Sequence, residues 1–309
     1  MPSVAIIDIG SNSIKVLVAA RSANGRLTAR KIRTIEARIS AGIGAERPRL
    51  GPEGFARGVA AVQDLAAEAA GFAPDRTIVV ATSAVREAAN GEEFCAQILA
   101  DTGLKVHVLS GDEEAQLIGR GLLCDPELSA LVDFYVFDLG GGSLECLAFR
   151  ARAIAQAVSL PLGCVRLTEK FIADPTGPFP PQAAGAIAAH VRDQVSAGHF
   201  SLAAVAVAIG TGGTLTTVRS LLAASAGRAL DQVEARLPVA ELREILGRVG
   251  PLSLAERMLV PGITAGRADV FPAALATLIA VAEIGGFDAF VHSLYNLRWG
   301  LAAEALTGL

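Results

Sequence analysis

The order of apolar and polar positions predicts strands that alternate with helices. In the first third of the chain, short apolar runs predict strands over residues 4–8, 14–20, 32–39, 77–81 and 106–109. Apolar positions at helical spacing predict helices over residues 55–70, 92–100 and 112–123. Such alternation is typical of a layered α/β domain. We place this first domain at residues 1–125, with its boundary at Asp125-Pro126.

The same pattern starts again after residue 126, so the chain contains an internal repeat. Asp, Gly and Ser recur at identical offsets in residues 8–13 (DIGSNS) and 138–143 (DLGGGS), and an apolar strand follows each segment. Further strands are predicted over residues 134–138, 144–149, 154–158 and 203–209, and helices over 182–195, from 214 onward, over 267–283 and over 296–306. We place the second domain at residues 126–309, and its last helix could fold back on the first domain.

The composition favours a soluble protein. Of the 309 residues, 52% are hydrophobic, but much of this content is alanine, which also suits tightly packed soluble helices. Residues 195–218 contain no Asp, Glu, Lys or Arg, yet the glycine-rich segment 210–214 interrupts them, so we expect no membrane span. Because Asp8 stands in the first apolar segment and no secretory signal is visible, we expect a cytoplasmic location.

The net charge of -4 is spread evenly along the chain, which argues against a DNA or RNA partner. One segment is an exception. Residues 21–49 contain eight basic residues against only Glu36 and Glu46. This segment could attract a polyanion, or it could be the solvated edge of a sheet, and both interpretations stay open.

The cysteines and histidines show no metal-binding spacing. The four histidines add no pattern, and the four cysteines occur without a CxxC pair. We therefore expect reduced thiols in the core rather than a zinc site or disulfides. The cysteines are Cys95, Cys124, Cys146 and Cys164.

The two repeated segments are candidate phosphate sites. A tight turn rich in Gly and Ser directs several backbone N–H groups into one concavity, where an anionic oxygen can accept their hydrogen bonds. An Asp beside that turn would repel the phosphate unless a divalent cation lies between them, so Asp8 and Asp138 indicate Mg²⁺, with Mn²⁺ as the alternative. A plain tight turn capped by an Asp is the competing interpretation, but two matched copies favour phosphate binding.

Three further segments are candidates, each with a structural alternative. Residues 210–214 (GTGGT) precede a predicted helix whose N-terminus would present free N–H groups to an anion. Ser110 and Glu113 fit a capping box, so helix stability alone explains the acidic residues there, including Glu114. Arg86 follows a buried strand and could clamp a phosphate, although a solvated Arg is common at a helix start.

Two common nucleotide motifs are absent from the sequence. No segment matches GxxxxGK[ST], and Gly42-Ile43-Gly44 lacks the third glycine of a dinucleotide fingerprint. These absences exclude Walker-type NTPases and Rossmann dehydrogenases.

Seven motifs follow one another along the chain: 8–13 (DIGSNS), 81–86 (ATSAVR), 109–115 (LSGDEEA), 138–143 (DLGGGS) with Glu145, 159–163 (SLPLG) with Arg166, 210–214 (GTGGT) and 267–269 (RAD). Together they resemble the exopolyphosphatase and guanosine pentaphosphate phosphohydrolase (Ppx/GppA) family, within the superfamily of actin, sugar kinases and chaperone ATPases. The resemblance covers nearly the whole chain. It implies an α/β fold of two ribonuclease H-like domains, as in actin-like ATPases, with an inter-domain cleft.

The resemblance also implies roles for individual residues. Glu114 matches the general base that activates the attacking water, and Arg86 matches a phosphate-binding arginine. Asp8, Asp138 and Glu145 match acidic residues at the metal, and Glu145 is also linked to catalysis. Backbone groups of the glycine-rich turns would bind the phosphates; these residues are Gly10, Ser11, Asn12, Ser13, Gly140, Gly141, Gly142, Ser143, Gly210, Thr211, Gly212, Gly213 and Thr214.

The implied activity is metal-dependent hydrolysis of a phosphoanhydride bond, which releases terminal orthophosphate from inorganic polyphosphate. Longer members of the family carry additional C-terminal helical domains, so for this chain we expect a preference for short polyphosphate. Guanosine pentaphosphate is the alternative substrate. Where many members have Thr, this chain has Leu144, which removes at most one hydroxyl contact.

Two other functions stay open. Residues 210–214 resemble the loop that meets adenosine phosphates in some kinases, so a phosphotransferase would show ATP turnover that depends on an acceptor. A non-catalytic sensor would bind guanosine tetraphosphate or pentaphosphate without releasing phosphate. Glu114, Asp138 and Glu145 argue against the sensor, because a binding protein needs no general base.

An apolar stripe near the C-terminus could form a homodimer contact, although such a stripe is more often the core face of a helix. The stripe consists of Leu294, Tyr295, Leu297, Trp299 and Leu301.

Overall fold

A computed structural model describes residues 1–40, 47–202 and 207–307 of the chain. These residues form two compact units. Unit 1 comprises Met1–Ala130 and the chain from Tyr295 onward, and unit 2 comprises Leu131–Leu294. The sequence analysis placed the boundary at Asp125-Pro126. The structure places it later, after a short turn whose Leu128 is buried and remains with unit 1.

Unit 1 contains a sheet of five strands among its described residues. The strands are β1 (Ser3–Ile9), β2 (Ile14–Arg21), β3 (Leu27–Ile35), β4 (Arg76–Ala81) and β5 (Val106–Val108). Their order is β3-β2-β1-β4-β5; β2 is antiparallel to β1 and β3, whereas β4 is parallel to β1 and β5. Strand β1 is central and almost completely buried, which explains its apolar sequence.

The edge strand β3 begins earlier than the predicted range of residues 32–39. It spans Leu27–Ile35 because the preceding hairpin turn, with Gly25 at φ +80°, returns the chain to β2 at Leu27. Leu27 is the only buried residue of this strand. An edge strand that faces solvent lacks the apolar alternation from which the prediction was made.

Two of the three basic side chains of β3, Lys31 and Arg33, are paired with acidic residues of helix α1 (Pro52–Ala70), whereas Arg30 donates to the Phe72 carbonyl at 3.3 Å. Lys31 and Arg33 form ion pairs with Glu68 at 2.6 and 2.7 Å, and Arg33 also approaches Asp64 at 3.1 Å. Hydrogen bonds from Lys31, and then from Arg33, lower the pKa of Glu68. Of the two interpretations of the basic segment, these contacts favour a solvated strand edge.

The helices α2 (Ser83–Glu87), α3 (Gly91–Thr102) and α4 (Gly111–Leu122) come next in unit 1. Helix α4 begins with the predicted capping box. Ser110 Oγ accepts a hydrogen bond from the Glu113 N–H at 3.2 Å, and the Glu113 carboxylate accepts one from the Ser110 N–H at 2.8 Å. This reciprocal cap fixes the first turn of α4, which also contains Glu114.

The described residues of unit 2 form a sheet in the order β10-β11-β9-β6-β7-β8. The strands are β6 (Phe134–Leu139), β7 (Leu144–Arg150), β8 (Ala153–Leu160), β9 (Ala208–Thr211), β10 (Arg236–Pro238) and β11 (Ala289–His292). The antiparallel run β6-β7-β8 and the parallel run β6-β9-β11 repeat the topology of unit 1. The internal repeat therefore extends over a whole sheet. Residues 203–206 of the predicted strand over 203–209 lie outside the described residues.

The helices of unit 2 are α5 (Cys164–Phe171), α6 (Ala183–Ala197), α7 (Gly213–Ala226), α8 (Val239–Val249), α9 (Leu254–Met258) and α10 (Phe271–Gly285). Helix α10 starts four residues later than predicted, because Pro272 in its first turn marks the start of the helix. Its first twelve residues are all buried. In the described chain, no helix combines the length and apolar character needed to cross a membrane.

The last helix, α11 (Leu297–Ala305), belongs to unit 1 although it follows unit 2 in sequence. It packs against α4 at two glycines that leave no room for a side chain. A Cβ on Gly121 would overlap the backbone of Asn296, and a Cβ on Gly300 would overlap the backbone of Leu117. The second domain, placed at residues 126–309 from the sequence, therefore ends at Leu294.

The apolar stripe near the C-terminus lies mainly in the core of unit 1. Trp299 belongs to this core, Tyr295 and Leu301 pack against it, and Leu297 is buried. Leu294 is 49% exposed. Most of the side chains on which the homodimer prediction was based therefore pack inside unit 1 rather than on its surface.

Candidate functional site

The two repeated segments form the same closed turn. The Gly10 N–H donates to the Ser13 carbonyl at 3.1 Å in unit 1, and the Gly140 N–H donates to the Ser143 carbonyl at 3.0 Å in unit 2. Each turn joins the central strand to its antiparallel neighbour. The repeated sequence is thus a repeated structure, with Asp8 and Asp138 at the end of equivalent strands.

Helix α5 orients the peptide groups of the second turn. Three groups at its start donate to three successive carbonyls: Cys164 N–H to Gly140 at 3.0 Å, Val165 N–H to Gly141 at 2.9 Å, and Arg166 Nε to Gly142 at 3.0 Å. In a trans peptide the carbonyl and the following N–H point in opposite directions, and the described residues contain no cis bond. The N–H groups of residues 141–143 therefore point away from α5, in the arrangement of an anion-binding concavity.

The segment after β3 orients the first turn in the same way. The Arg38 N–H donates to the Asn12 carbonyl at 3.0 Å, and the Ile39 N–H donates to the Ser11 carbonyl at 3.1 Å. Arg38 Nε also donates to Asn12 Oδ1 at 3.2 Å. By the same peptide geometry, the N–H groups of Asn12 and Ser13 point to the opposite side.

The third loop, residues 210–214, lies against Asp138. Gly212 adopts φ +95°, and a Cβ there would lie 2.8 Å from an Asp138 carboxylate oxygen. Only glycine suits this position. At Gly213, the first residue of α7, a Cβ would overlap the guanidinium of Arg267. Loop, carboxylate and guanidinium are therefore in close contact in unit 2.

Two threonines of the same loop have buried hydroxyl groups that bind no other described residue. Thr211 is fully buried and Thr214 is 1% exposed, and within the described chain neither Oγ1 has a hydrogen-bond partner. Buried hydroxyls normally have partners, so such groups indicate a ligand position.

Arg86 and Glu114 form an ion pair in unit 1. Arg86 Nη1 lies 3.1 Å from Glu114 Oε2 and also donates to the Leu109 carbonyl at 2.7 Å. The Glu114 side chain is 8% exposed and that of Arg86 is 25% exposed. Ser83 Oγ lies 3.2 Å from Ser11 Oγ, which connects the start of the helix with Arg86 to the first turn.

Asp138 and Glu145 are directly opposite each other on β6 and β7. Cross-strand partners project to the same face of a sheet, with Cβ atoms about 5 Å apart. Glu145 Oε1 also accepts a hydrogen bond from Ser159 Oγ at 2.8 Å. Among the described residues, no group of three or more His, Cys, Asp or Glu forms a metal site. A carboxylate pair nevertheless fits Mg²⁺, which commonly uses one or two protein carboxylates and completes its shell with water and substrate phosphates.

Asp8 has cationic neighbours. Its cross-strand partner on β2 is Lys15, the position that Glu145 occupies in unit 2. Arg298 Nε lies 4.0 Å from Asp8 Oδ2. These two cations supply positive charge where the sequence analysis expected a metal ion alone.

The sequence analysis missed two side chains at these turns, Arg267 and Arg298. Arg267 was part of a recognised motif, but nothing in the sequence shows that it covers Gly213. Arg298 lies at the start of α11, almost 300 residues from Asp8, so only the return of this helix brings the two together.

The predicted site residues fall into two sets. Unit 1 brings Glu114 to Arg86 and contains the first turn with Asp8. Unit 2 brings Asp138 to Glu145 and to the loop at residues 210–214, beside the second turn. Each set contains oriented N–H groups and carboxylates, which is a chemistry suited to phosphate esters and anhydrides.

Comparison with known proteins points to the same family as the sequence motifs. The Ppx/GppA phosphatase family profile matches residues 18–307. A curated relative, an uncharacterized protein of Streptomyces coelicolor, is 29% identical over 96% of this chain and 88% of its own length.

Solved structures of the family show the same fold. An exopolyphosphatase-like protein is 25% identical, with a TM-score of 0.88 over 98% of this chain and 97% of that protein. An exopolyphosphatase from Cytophaga hutchinsonii is 21% identical, with a TM-score of 0.87 over 99% and 98%, and the Aquifex aeolicus family member is 24% identical, with a TM-score of 0.80 over 99% and 98%. The two sheets of this chain thus match two-domain, actin-like α/β structures. The chain belongs to the Ppx/GppA phosphatase family, a family of phosphohydrolases.

Proposed function

We propose that this protein removes the terminal phosphate from short inorganic polyphosphate by attack of a water molecule that Glu114 activates. The observation that carries the proposal is the buried Glu114 carboxylate, which pairs with Arg86 at 3.1 Å. The helix cap is formed by its neighbour Glu113, so helix capping does not explain Glu114. A buried carboxylate in this position is suited to act as a general base. The family and its exopolyphosphatase-like member support the reaction class.

Each group of the site has one task in the proposed reaction. Glu114 orients a water molecule in line with the terminal phosphorus and accepts its proton. The water oxygen forms a new bond to phosphorus, and the bridging P–O bond breaks, which leaves orthophosphate and a shortened chain. Arg86 and the oriented N–H groups of the turns stabilise the charge on the phosphoryl and leaving oxygens.

The proposal includes a divalent cation, Mg²⁺ or alternatively Mn²⁺. Asp138 and Glu145 would hold it, and Asp8 is the further predicted ligand. When bound, the ion would neutralise charge on the phosphate oxygens. The two carboxylates lie opposite each other on neighbouring strands, so both can take part in one site.

Short chains are the preferred substrates in this proposal because two of the three basic side chains of β3 are already paired with carboxylates. Lys31 and Arg33 are paired with Glu68 and Asp64. A long polyanion gains affinity from extended tracks of free cations. The turns and their loops are instead suited to a few successive phosphates. Guanosine pentaphosphate, with a short phosphate chain of its own, stays the alternative substrate.

A substrate panel tests the proposal. Orthophosphate release is measured with Mg²⁺ for tripolyphosphate, long-chain polyphosphate, guanosine pentaphosphate and ATP, with wild type and Glu114→Gln. Tripolyphosphate should be the fastest substrate, and Glu114→Gln should bind it but release phosphate at least about a hundredfold more slowly.

The other outcomes separate the alternatives. Faster release from guanosine pentaphosphate would replace the proposed substrate by that nucleotide. ATP turnover that requires an added acceptor would indicate a phosphotransferase. Tight binding of guanosine tetraphosphate or pentaphosphate, without release from any compound, would indicate a sensor and overturn the hydrolase.

A further inference from the structure

A buried row of polar groups connects the loop at residues 210–214 with the segment that follows helix α7, at Leu230 and Val233. At one end, Arg219 Nη2 donates to the Leu230 and Val233 carbonyls at 2.9 and 2.6 Å. Arg219 Nη1 lies 3.4 Å from His292 Nδ1, and His292 Nε2 lies 3.3 Å from Thr216 Oγ1. At the other end, Thr216 Oγ1 donates to the Gly212 carbonyl at 3.0 Å. All of these residues belong to unit 2. His292 is 4% exposed and Arg219 is 7% exposed.

The chemistry of the groups assigns every proton in this row. The Gly212 carbonyl can only accept, so the single hydroxyl proton of Thr216 is donated to it. Thr216 Oγ1 must then accept from His292, which places a proton on Nε2. Arg219 can only donate, so Nδ1 of His292 must be unprotonated. The row therefore requires a neutral imidazole in its Nε2–H tautomer.

The ionisation of His292 agrees with this assignment. Burial, and then the charge of Arg219, lower the pKa of His292 to about 3. Burial also lowers the pKa of Arg219. A guanidinium is costly to bury beside an imidazole, and its two backbone acceptors offset part of that cost.

The direction of one backbone N–H depends on this row. The Gly212 carbonyl and the Gly213 N–H belong to the same peptide group and point in opposite directions. Gly212, at φ +95°, has no side chain of its own to limit its conformation. Thr216 binds its carbonyl through both the hydroxyl at 3.0 Å and the backbone N–H at 3.4 Å. Holding this carbonyl toward α7 holds the Gly213 N–H in the opposite direction, away from the helix.

We propose that His292 is a positioning residue, which through Thr216 fixes the Gly212–Gly213 peptide so that the Gly213 N–H faces a bound phosphate. The functional part rests on the proposed function, because it requires a phosphate ligand at this loop. The connection itself rests only on the contacts above. In this proposal, part of the free energy of phosphate binding depends on His292, although His292 does not contact the phosphate.

Nuclear magnetic resonance tests the connection without any ligand. With ¹⁵N-labelled histidine, the signals missing from His292→Gln identify His292 among the four histidines. They should show the Nε2–H tautomer and no protonation between about pH 8 and pH 5. The Gly213 amide signal should shift in Thr216→Val. A protonated ring, an Nδ1–H tautomer or an unmoved Gly213 signal would overturn the proposal.

Binding of tripolyphosphate with Mg²⁺ tests the functional part. It is measured by calorimetry in a Glu114→Gln background, in which hydrolysis is slow. Thr216→Val should weaken binding about tenfold, the effect of one well-placed hydrogen bond. The matched control is Thr277→Val, because Thr277 is fully buried and its hydroxyl makes a similar bond, to Ala273 at 2.8 Å in α10. It should bind like the parent.

The side chain at position 292 gives a second comparison. His292→Phe removes both bonds and should match Thr216→Val, whereas the amide N–H of His292→Gln can donate to Thr216 and should restore binding to within about threefold. Equal losses in Thr216→Val and Thr277→Val, or unchanged binding in Thr216→Val, would overturn the positioning role. If the parent itself binds no tripolyphosphate, the proposed function fails, and the magnetic resonance result alone decides the connection.

Discussion

Acid should destabilise unit 2 through His292, and the size of the effect follows from its pKa. The imidazole has a pKa of about 3 in the folded protein, against 6.5 for an ordinary histidine. Above about pH 6.5 it is neutral in both states, and its contribution to stability is complete. As the pH falls further, the unfolded chain takes up a proton that the folded protein excludes. Stability is therefore lost progressively until the pH reaches the folded pKa.

Each pH unit in this window costs about 1.4 kcal/mol of unfolding free energy. At about pH 4.5, two units below the unfolded pKa, the loss amounts to roughly 2.7 kcal/mol. His292→Gln has no group that titrates at this position. The difference in unfolding free energy between wild type and His292→Gln should therefore shift by this amount between about pH 7.5 and pH 4.5, while carboxylate effects common to both proteins cancel.

Denaturant unfolding followed by circular dichroism measures this difference. Fluorescence is unsuitable, because the only tryptophan, Trp299, lies in unit 1, whereas His292 lies in unit 2. A difference that stays constant across the pH range would show that His292 titrates alike in both states. That result would refute the buried, neutral imidazole and the proton assignment built on it.

Two further predictions concern packing and thiol chemistry. Gly300→Ala should lower the unfolding free energy of unit 1 by about 1–3 kcal/mol, since its Cβ would overlap the backbone of Leu117; thermal unfolding monitored at Trp299 measures this. Gly247→Ala, in a helix of unit 2 with open space around the Cβ position, is the control; its thermal unfolding is followed by circular dichroism and should be unchanged or shifted to higher temperature. Of the four cysteines, Cys146 and Cys164 are buried, and burial followed by Glu145 raises the pKa of Cys146. In a thiol titration no more than two should react before unfolding, and rapid reaction of all four would contradict this burial.

The sequence predicts the central strands and turns well because their signals are local. β1 and β6 are apolar runs that end at a glycine-containing turn, and the turn residues recur at the same offsets. The edge strand β3 was placed too late, because a solvated edge carries charged rather than alternating side chains. The return of α11 to unit 1 rests on contacts at Gly121 and Gly300, which no local pattern reveals.

In the candidate site, too, the features with a local sequence signal were predicted and the contacts between distant residues were not. The turn glycines and the Asp residues were predicted from spacing, whereas Glu114 required the family resemblance, because acidic residues are common in the first turn of a helix for stability alone. The contacts of Arg298 with Asp8 and of His292 with Thr216 join residues far apart in the sequence. A single sequence contains no signal for such pairs, so they were found only in the structure.

The proposed role of Glu114 is tested most directly against its neighbour in the same helical turn. Glu114→Gln and Glu113→Gln make the same chemical change, and glutamine can still complete the capping box at position 113. On tripolyphosphate with Mg²⁺, Glu114→Gln should lower kcat by about 10²–10⁴-fold, as expected for loss of a general base. Glu113→Gln should keep kcat close to the wild-type value. Similar rates for Glu114→Gln and wild type, or equal losses in both variants, would contradict the assignment of Glu114 as the base.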